Sequence, residues 1–197
     1  MMTHTDVDII QNRPISNAKL GVLVLLGAET MLFVGLIGAF LVFRMGNVNW
    51  PPLSLGDIQL PQLVTGINTL LLLISGYTMF YSVRSIQQDK IWQHHVAMAF
   101  TWFLGLAFLV IQGSEWIQLI GKGLTLQSGI YGGIFYVLIG CHAVHVLGAV
   151  MWLSIVLAKS LLGRFSSQEY TGVETCMLYW IFVVALWPIL YILVYLY

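Results

Sequence analysis

Residues 20–43 read LGVLVLLGAETMLFVGLIGAFLVF and contain a single ionisable side chain, that of Glu29. A helix needs about 20 consecutive apolar residues to cross the hydrocarbon core of a bilayer. Backbone polar groups in lipid must pair within their own segment, so a stretch of this kind crosses the membrane as a helix. We therefore predict a transmembrane helix that carries one carboxyl group near its middle.

The rest of the chain has the same character. Of its 197 residues, 59% are hydrophobic and only 8% are charged, whereas a soluble domain carries about 25% charged residues. We predict an all-α integral membrane protein, a five-helix bundle forming one membrane domain over residues 1–197. The five predicted spans are about 20–43, 62–83, 91–119, 130–158 and 173–197.

The basic residues predict the orientation of this bundle. All eight lie at span ends or in links, and two of them, Arg44 and Lys122, fall on one side of the membrane. By the positive-inside rule, the opposite side is cytoplasmic, which places the N-terminus inside and the C-terminus outside. The residues on that side are Arg13, Lys19, Arg84, Lys90, Lys159 and Arg164.

Other features of the chain exclude further classes. The net charge is zero, and no basic cluster indicates a nucleic-acid partner. The residues before the first span include Asp6 and Asp8 and lead into an apolar run too long for a signal peptide, so we expect this span in the mature protein. Cys141 and Cys176 lie in apolar segments, and we interpret them as core residues.

Small residues indicate where helices could approach each other. Gly35 and Ala39 form a pair on the first span, and Gly133, Gly140 and Gly148 follow one stripe of the fourth. Because small side chains let helix backbones come close in lipid, we expect helix contacts at both places.

Glu29 is the first candidate for chemistry. At about 1.5 Å of rise per residue it lies about 15 Å into its helix, near the middle of the membrane. A carboxyl group at that depth costs a few kcal/mol and is usually functional; a medium of low polarity favours its neutral form. Glu29 is either a protonatable group that feeds or buffers a proton path, or a protonated acid hydrogen-bonded to a neighbouring helix.

Two histidines on the fourth span are the second candidate. His142 and His145 are three residues apart and so share a helix face. They could be a metal or haem ligand pair, or two neutral imidazoles in a buried polar network. Glu115 and Glu174 would complete a carboxylate–histidine metal set, but they fall at opposite ends of their spans. Separations on the order of 15 Å argue against one ion collecting these groups, and we predict no metal site.

Several other polar residues lie in or beside the spans. We expect Asn68 and Gln112 each to bond a neighbouring helix. Arg84 ends the second span, where it could hold a lipid phosphate or serve only as a positive-inside anchor. His94 and His95 open the third span, and we expect them at the membrane interface rather than in a catalytic site.

Five segments resemble, in order, subunit III of the haem-copper oxidases, the family that includes cytochrome c oxidase. They cover nearly all of the chain after Leu20, and the shorter five-span form of the family is bacterial. The segments are GAETMLFVGLIGAFLVFR at 27–44, TGINTLLLLISGYTM at 65–79, QGSEWIQL at 112–119, SGIYGGIFYVLIGCHAVHVLGAV at 128–150 and GVETCMLYWIFVVALW at 172–187.

The resemblance implies roles for particular residues. Glu29 matches the family's membrane-embedded, carbodiimide-reactive glutamate, and the other matched positions are Asn68, Glu115, His142, His145 and Glu174. One stretch departs from the family, which commonly ends with YWHFVDxVW. Here Ile181 replaces the histidine and Val184 replaces the aspartate, so any role that depends on those two polar groups is in doubt.

By resemblance, this chain is a non-catalytic subunit III of a proton-pumping terminal oxidase in a bacterial plasma membrane. It would contact subunit I chiefly, with subunit II and other respiratory-complex subunits as further partners. It would support proton uptake by subunit I and hold phospholipid in a cleft, while haem and copper reside in the partner subunits. The alternatives are an accessory subunit of a quinol oxidase or a nitric oxide reductase, or an independent membrane enzyme or transporter that uses Glu29.

Overall fold

The computed structural model describes residues 16–47, 50 and 62–196. Five helices occupy these residues, and each is long and apolar enough to cross a membrane. The predicted fold class is confirmed, and the predicted spans end within four residues of the observed ones when residues 192–196, which extend the last helix, are counted. Arg13, most of the link between the first two helices, and Tyr197 lie outside the described residues. The helices are α1 (Asn17–Gly46), α2 (Gln62–Gln87), α3 (Ile91–Gly121), α4 (Gly129–Leu161) and α5 (Thr171–Tyr191), which continues as a π-helical turn (Ile192–Leu196).

The helix ends follow from local chemistry. At the start of α1, the Ser16 hydroxyl accepts a hydrogen bond from the Lys19 backbone N–H at 3.3 Å, so it caps one of the free N–H groups of the first turn. Three short links turn through a residue with positive φ, namely Asp89 at 59°, Gly123 at 91° and Gly163 at 70°. Left-handed residues of this kind commonly end helices, which keeps the links between successive spans short.

Four of the helices form a ring. Each of α2, α3, α4 and α5 packs against the next, and α5 closes the ring against α2. The interior is apolar and aromatic, with Phe108, Trp180 and Trp187 fully buried. Helix α1 lies outside the ring and packs chiefly against α4 and α5. It contributes only Val22, Phe33 and Phe40 to the buried core. The acid on α1 therefore faces an outer seam of the bundle.

Close helix approach occurs at glycines of α2 and α3. A Cβ on Gly105 would collide with the indole ring of Trp180, and one on Gly76 would lie 3.1 Å from Val184 Cγ1. Both glycines leave room for side chains of α5, since Trp180 fills the space at Gly105 and Val184 fills the space at Gly76. At these two positions, side chains of α5 therefore pack directly on the backbones of α2 and α3.

The small-residue stripes predicted on the first and fourth spans do not make such contacts. Cβ atoms on Gly35 and Gly148 would meet nothing within 4 Å, and one on Gly140 would meet only the Trp116 ring at 3.5 Å. Among the described residues, the expected helix contact is therefore absent at Gly35 and Gly148, whereas Gly140 lies against the Trp116 side chain of α3.

His94 is a structural residue near the beginning of α3. Its side chain is fully buried within the bundle. Its Nδ1 lies 3.0 Å from the backbone oxygen of Ser82, and its Nε2 lies 2.8 Å from Ser160 Oγ. One imidazole therefore joins α2, α3 and α4. His95, half-buried beside it, bonds the backbone oxygen of Ser160 at 3.1 Å.

Candidate functional site

Glu29 and His145 form a direct pair across the seam between α1 and α4. Glu29 Oε2 lies 2.6 Å from His145 Nε2, and the two side chains keep 18% and 14% of their surfaces exposed. The Phe33 ring meets the His145 ring edge to face, with centroids 5.1 Å apart. Glu29 therefore has a neighbouring-helix partner, which is one of the two histidines that the sequence singles out.

His142 lies in a different environment from His145. It is fully buried and stacks on Trp187, with ring centroids 5.0 Å apart and an interplanar angle of 25°. Phe33 and Phe108 present their rings to it edge to face at 6.3 Å. Neither of its ring nitrogens has a hydrogen-bond partner among the described residues. The two histidines do not share a polar network, so that interpretation is wrong for His142.

Glu115 belongs to a second, separate site. The Thr65 hydroxyl lies 3.0 and 3.1 Å from its two carboxyl oxygens, and Gln112 Nε2 donates to Oε2 at 3.1 Å. Gln112 Nε2 also lies 3.4 Å from the hydroxyl of Tyr195, in the π-helical turn. The sequence analysis missed Thr65 and Tyr195, because an ordinary threonine and a terminal tyrosine carry no signal that they will meet a buried acid.

Asn68 reaches its neighbouring helix as predicted. Its side-chain N–H donates from α2 to the backbone oxygen of Phe108 on α3 at 3.3 Å. Its oxygen is buried without a hydrogen-bond partner among the described residues. Asn68 thus links α2 to α3 beside Phe108, one of the aromatic residues around His142.

Glu174 pairs with Lys19. The Lys19 Nζ and Glu174 Oε1 atoms are 2.7 Å apart, with both side chains about one-third exposed. This ion pair joins the beginning of α1 to the beginning of α5. The sequence analysis interpreted Lys19 only as an anchor, since residues 155 positions apart give no local sign of contact.

The three acids consequently occupy three sites with three different partners. Among residues 16–47, 50 and 62–196, no group of three His, Cys, Asp or Glu side chains lies close enough together to hold a metal ion. The chemistry available to the paired site is proton exchange between a carboxyl group and an imidazole.

Arg84 lies apart from these sites, at the end of α2. Its guanidinium sits over the Phe80 ring, 5.2 Å from the centroid. One turn earlier, Tyr81 helps to line a cavity of about 330 Å³ between α2 and α3, together with Trp92 and Phe100. Arg84 thus lies about one helical turn from Tyr81, one of the residues that line this cavity.

The fold and the paired acid define a class of multi-pass membrane protein, and comparisons with known proteins identify the family. Residues 11–197 match the family described as cytochrome c oxidase subunit III. The chain is 33% identical over 177 residues to the cytochrome c oxidase subunit 3 of Thermostichus vulcanus, covering 89% of this chain and 85% of that protein. It is 34% identical to the same subunit of Synechocystis sp., covering 74% of that protein, and 30% identical to that of Homo sapiens, covering 68%.

The chain belongs to the cytochrome c oxidase subunit III family. Its role is that of subunit III in a terminal oxidase, so it is one component of a multi-subunit membrane complex. The resemblance found in the five sequence segments is thereby confirmed.

Proposed function

We propose that this subunit supports proton uptake by subunit I and prolongs the active life of the oxidase, with Glu29 as its functional acid. The observation that carries the proposal is the 2.6 Å contact between Glu29 and His145 at the seam between α1 and α4. A carboxyl group in lipid is costly, and one held by a dedicated partner at an exposed seam is suited to exchanging protons with a neighbouring protein.

The partners and location follow from the same proposal. Subunit I is the main contact, subunit II and other respiratory-complex subunits are further partners, and the complex lies in the plasma membrane of a bacterium. This chain binds phospholipid and no metal, and haem and copper belong to the partner subunits. The scattered positions of its acids support this division of labour, because Glu29, Glu115 and Glu174 each have their own partners.

Glu29→Gln tests the proposed role. The glutamine amide can still donate to His145 but cannot exchange a proton, so we expect normal assembly and a several-fold lower number of turnovers before inactivation. The measurement is oxygen consumption by the purified complex over a long time course, together with proton uptake in reconstituted vesicles.

Thr30→Val is the matched control for that variant. Thr30 is the next residue on α1, and its hydroxyl bonds only the backbone oxygen of Leu26, at 2.7 Å, among the described residues. We expect wild-type turnover from this variant. If Glu29→Gln also equals wild type in lifetime and proton uptake, Glu29 is structural and the proposed role fails.

We propose further that Arg84 binds the phosphate of an anionic phospholipid. Its position over Phe80 and beside the α2–α3 groove supports this, since the groove offers apolar and aromatic walls to an acyl chain. Arg84→Gln is expected to reduce the anionic lipid that stays bound during detergent purification, as counted by native mass spectrometry.

Arg164→Gln is the control for the lipid experiment. Arg164 is an exposed basic residue in the link after α4 and was predicted on the same membrane side as Arg84. We expect this variant to retain its lipid. Equal losses from both variants would indicate general attraction by basic residues, and the Arg84 site would be rejected.

A further inference from the structure

We infer that Glu29 and His145 share a single proton, and that it resides on Glu29, whose carboxylic acid donates a hydrogen bond to Nε2 of a neutral His145. The inference rests on the proposed function only for the use to which this proton is put. It assigns His145 as the positioning residue that holds the Glu29 acid at the seam.

The tautomer of His145 follows from its second contact. His145 Nδ1 lies 2.6 Å from the backbone oxygen of Cys141, one helical turn earlier. A carbonyl oxygen only accepts hydrogen bonds, so Nδ1 must carry a hydrogen and donate it. Nε2 is then either a bare acceptor facing an acid or a second N–H facing a carboxylate. In both forms one proton lies between Glu29 and Nε2, and the pair as a whole is neutral.

The surroundings favour the acid form over the ion pair. Besides His145, the Cys141 thiol on α4 and the Tyr179 phenol on α5 lie close enough to Glu29 to interact electrostatically with it, and neither supplies a positive charge. Within the described residues, no Lys or Arg lies within salt-bridge distance of Glu29. Phe33 covers the His145 ring. Separating charge in such apolar surroundings is costly, whereas a neutral hydrogen bond is not.

The pair can nevertheless pass its proton without a change of net charge. Movement of the hydrogen across the 2.6 Å contact breaks the O–H bond of Glu29 and forms an N–H bond on His145, which leaves a carboxylate beside an imidazolium. Reversal restores the neutral pair. To reach a proton acceptor at the exposed part of Glu29, this hydrogen must first leave its contact with His145 Nε2.

Infrared difference spectroscopy of the whole oxidase complex tests this assignment. We expect a C=O stretching band of a protonated carboxylic acid that shifts in heavy water and is missing from Glu29→Gln. In His145→Phe the acid loses its acceptor, so the band should move to higher frequency. Carboxylate bands in place of the acid band would overturn the inference. An acid band whose frequency is the same in His145→Phe as in wild type would also overturn it.

His142→Phe is the matched control. It changes the other histidine of the same helix, which has no hydrogen-bond partner among the described residues and sits among aromatic rings that a phenyl group would also fit. The Glu29 band should stay where it is in this variant. If His145→Phe does not assemble, His145→Gln gives the second test, because its amide oxygen can accept the acid proton and should hold the band close to its wild-type position.

The outcome separates this inference from the proposed function. Suppose that the acid band shifts in His145→Phe but that Glu29→Gln has the active lifetime of wild type. The shared proton would then be supported, and its proposed role in turnover would be rejected. If Glu29→Gln has a shortened active lifetime and the wild-type spectrum shows carboxylate bands, the role of Glu29 in turnover would be supported and its assignment as a neutral acid would be overturned.

Discussion

Gly105→Leu is expected to prevent the ring from closing and to leave little of the subunit in the assembled oxidase. Even a Cβ at this position would overlap the Trp180 ring, and Val150 lies against the same point. Trp180 cannot turn away, because it is fully buried and its indole N–H donates to Ser75 Oγ at 3.2 Å. Overpacking a tight core costs about 1–3 kcal/mol and sometimes more. We expect the upper end or beyond, since the leucine would have to displace the buried Trp180 ring and push against Val150 of α4.

Gly113→Leu is the control for this prediction. It places the same side chain on the same helix two turns later, where a Cβ would meet nothing within 4 Å. Each variant is compared with wild type by the amount of subunit that co-purifies with the haem-containing chains and by the midpoint of thermal unfolding. A Gly105→Leu subunit that assembles as well as Gly113→Leu would show that Trp180 packs less tightly on Gly105 than the structure indicates.

Val184→Asp is expected to lower the stability of the subunit by about 3 kcal/mol, the scale for a carboxyl at the centre of a membrane helix. Val184 is 5% exposed and packs on α2 at Gly76, where the side chain of Ile181 also lies. The variant restores the aspartate common in the family, but into a seam where Val184 and Ile181 make apolar contacts with α2. The midpoint of thermal unfolding measures the loss.

Ile181→His is the companion of that variant. Ile181 is 37% exposed but lies within the same membrane span, so a histidine there also enters apolar surroundings; as a neutral, partly exposed ring it should destabilise the subunit less than the buried aspartate. In the double variant, residues 181 and 184 are one helical turn apart and can bond each other, and we expect part of the stability to return. A Val184→Asp subunit as stable as wild type would mean that the seam already contains polar partners for the acid.

The helices themselves could be predicted from the sequence because a transmembrane span is a local property. Length, apolar content and breaker residues fix it, and so residues such as Gln62 and Ile91 were placed at the true helix starts. The depth of each acid also follows locally from the rise per residue. These depths predict that Glu29, Glu115 and Glu174 lie too far apart to share one site.

The partners of those acids could not be predicted, since they depend on how each helix is rotated and which helix lies beside it. His142 and His145 share a broad face in the sequence, yet one points into the aromatic core and the other to α1. The small-residue stripes failed for the same reason. A stripe defines a face, but the neighbours of α4 approach elsewhere, as Gly148 shows.

The position of α1 outside the ring has a consequence for how the chain is made. Chains emerge from the ribosome N-terminus first, so α1 enters the bilayer before α4 and α5, against which it packs, exist. During that interval Glu29 has no His145 and Lys19 has no Glu174. Helix α1 is therefore inserted before the helices on which it packs and can dock only after they have entered the membrane. Until then its acid is expected to be an uncharged group in lipid.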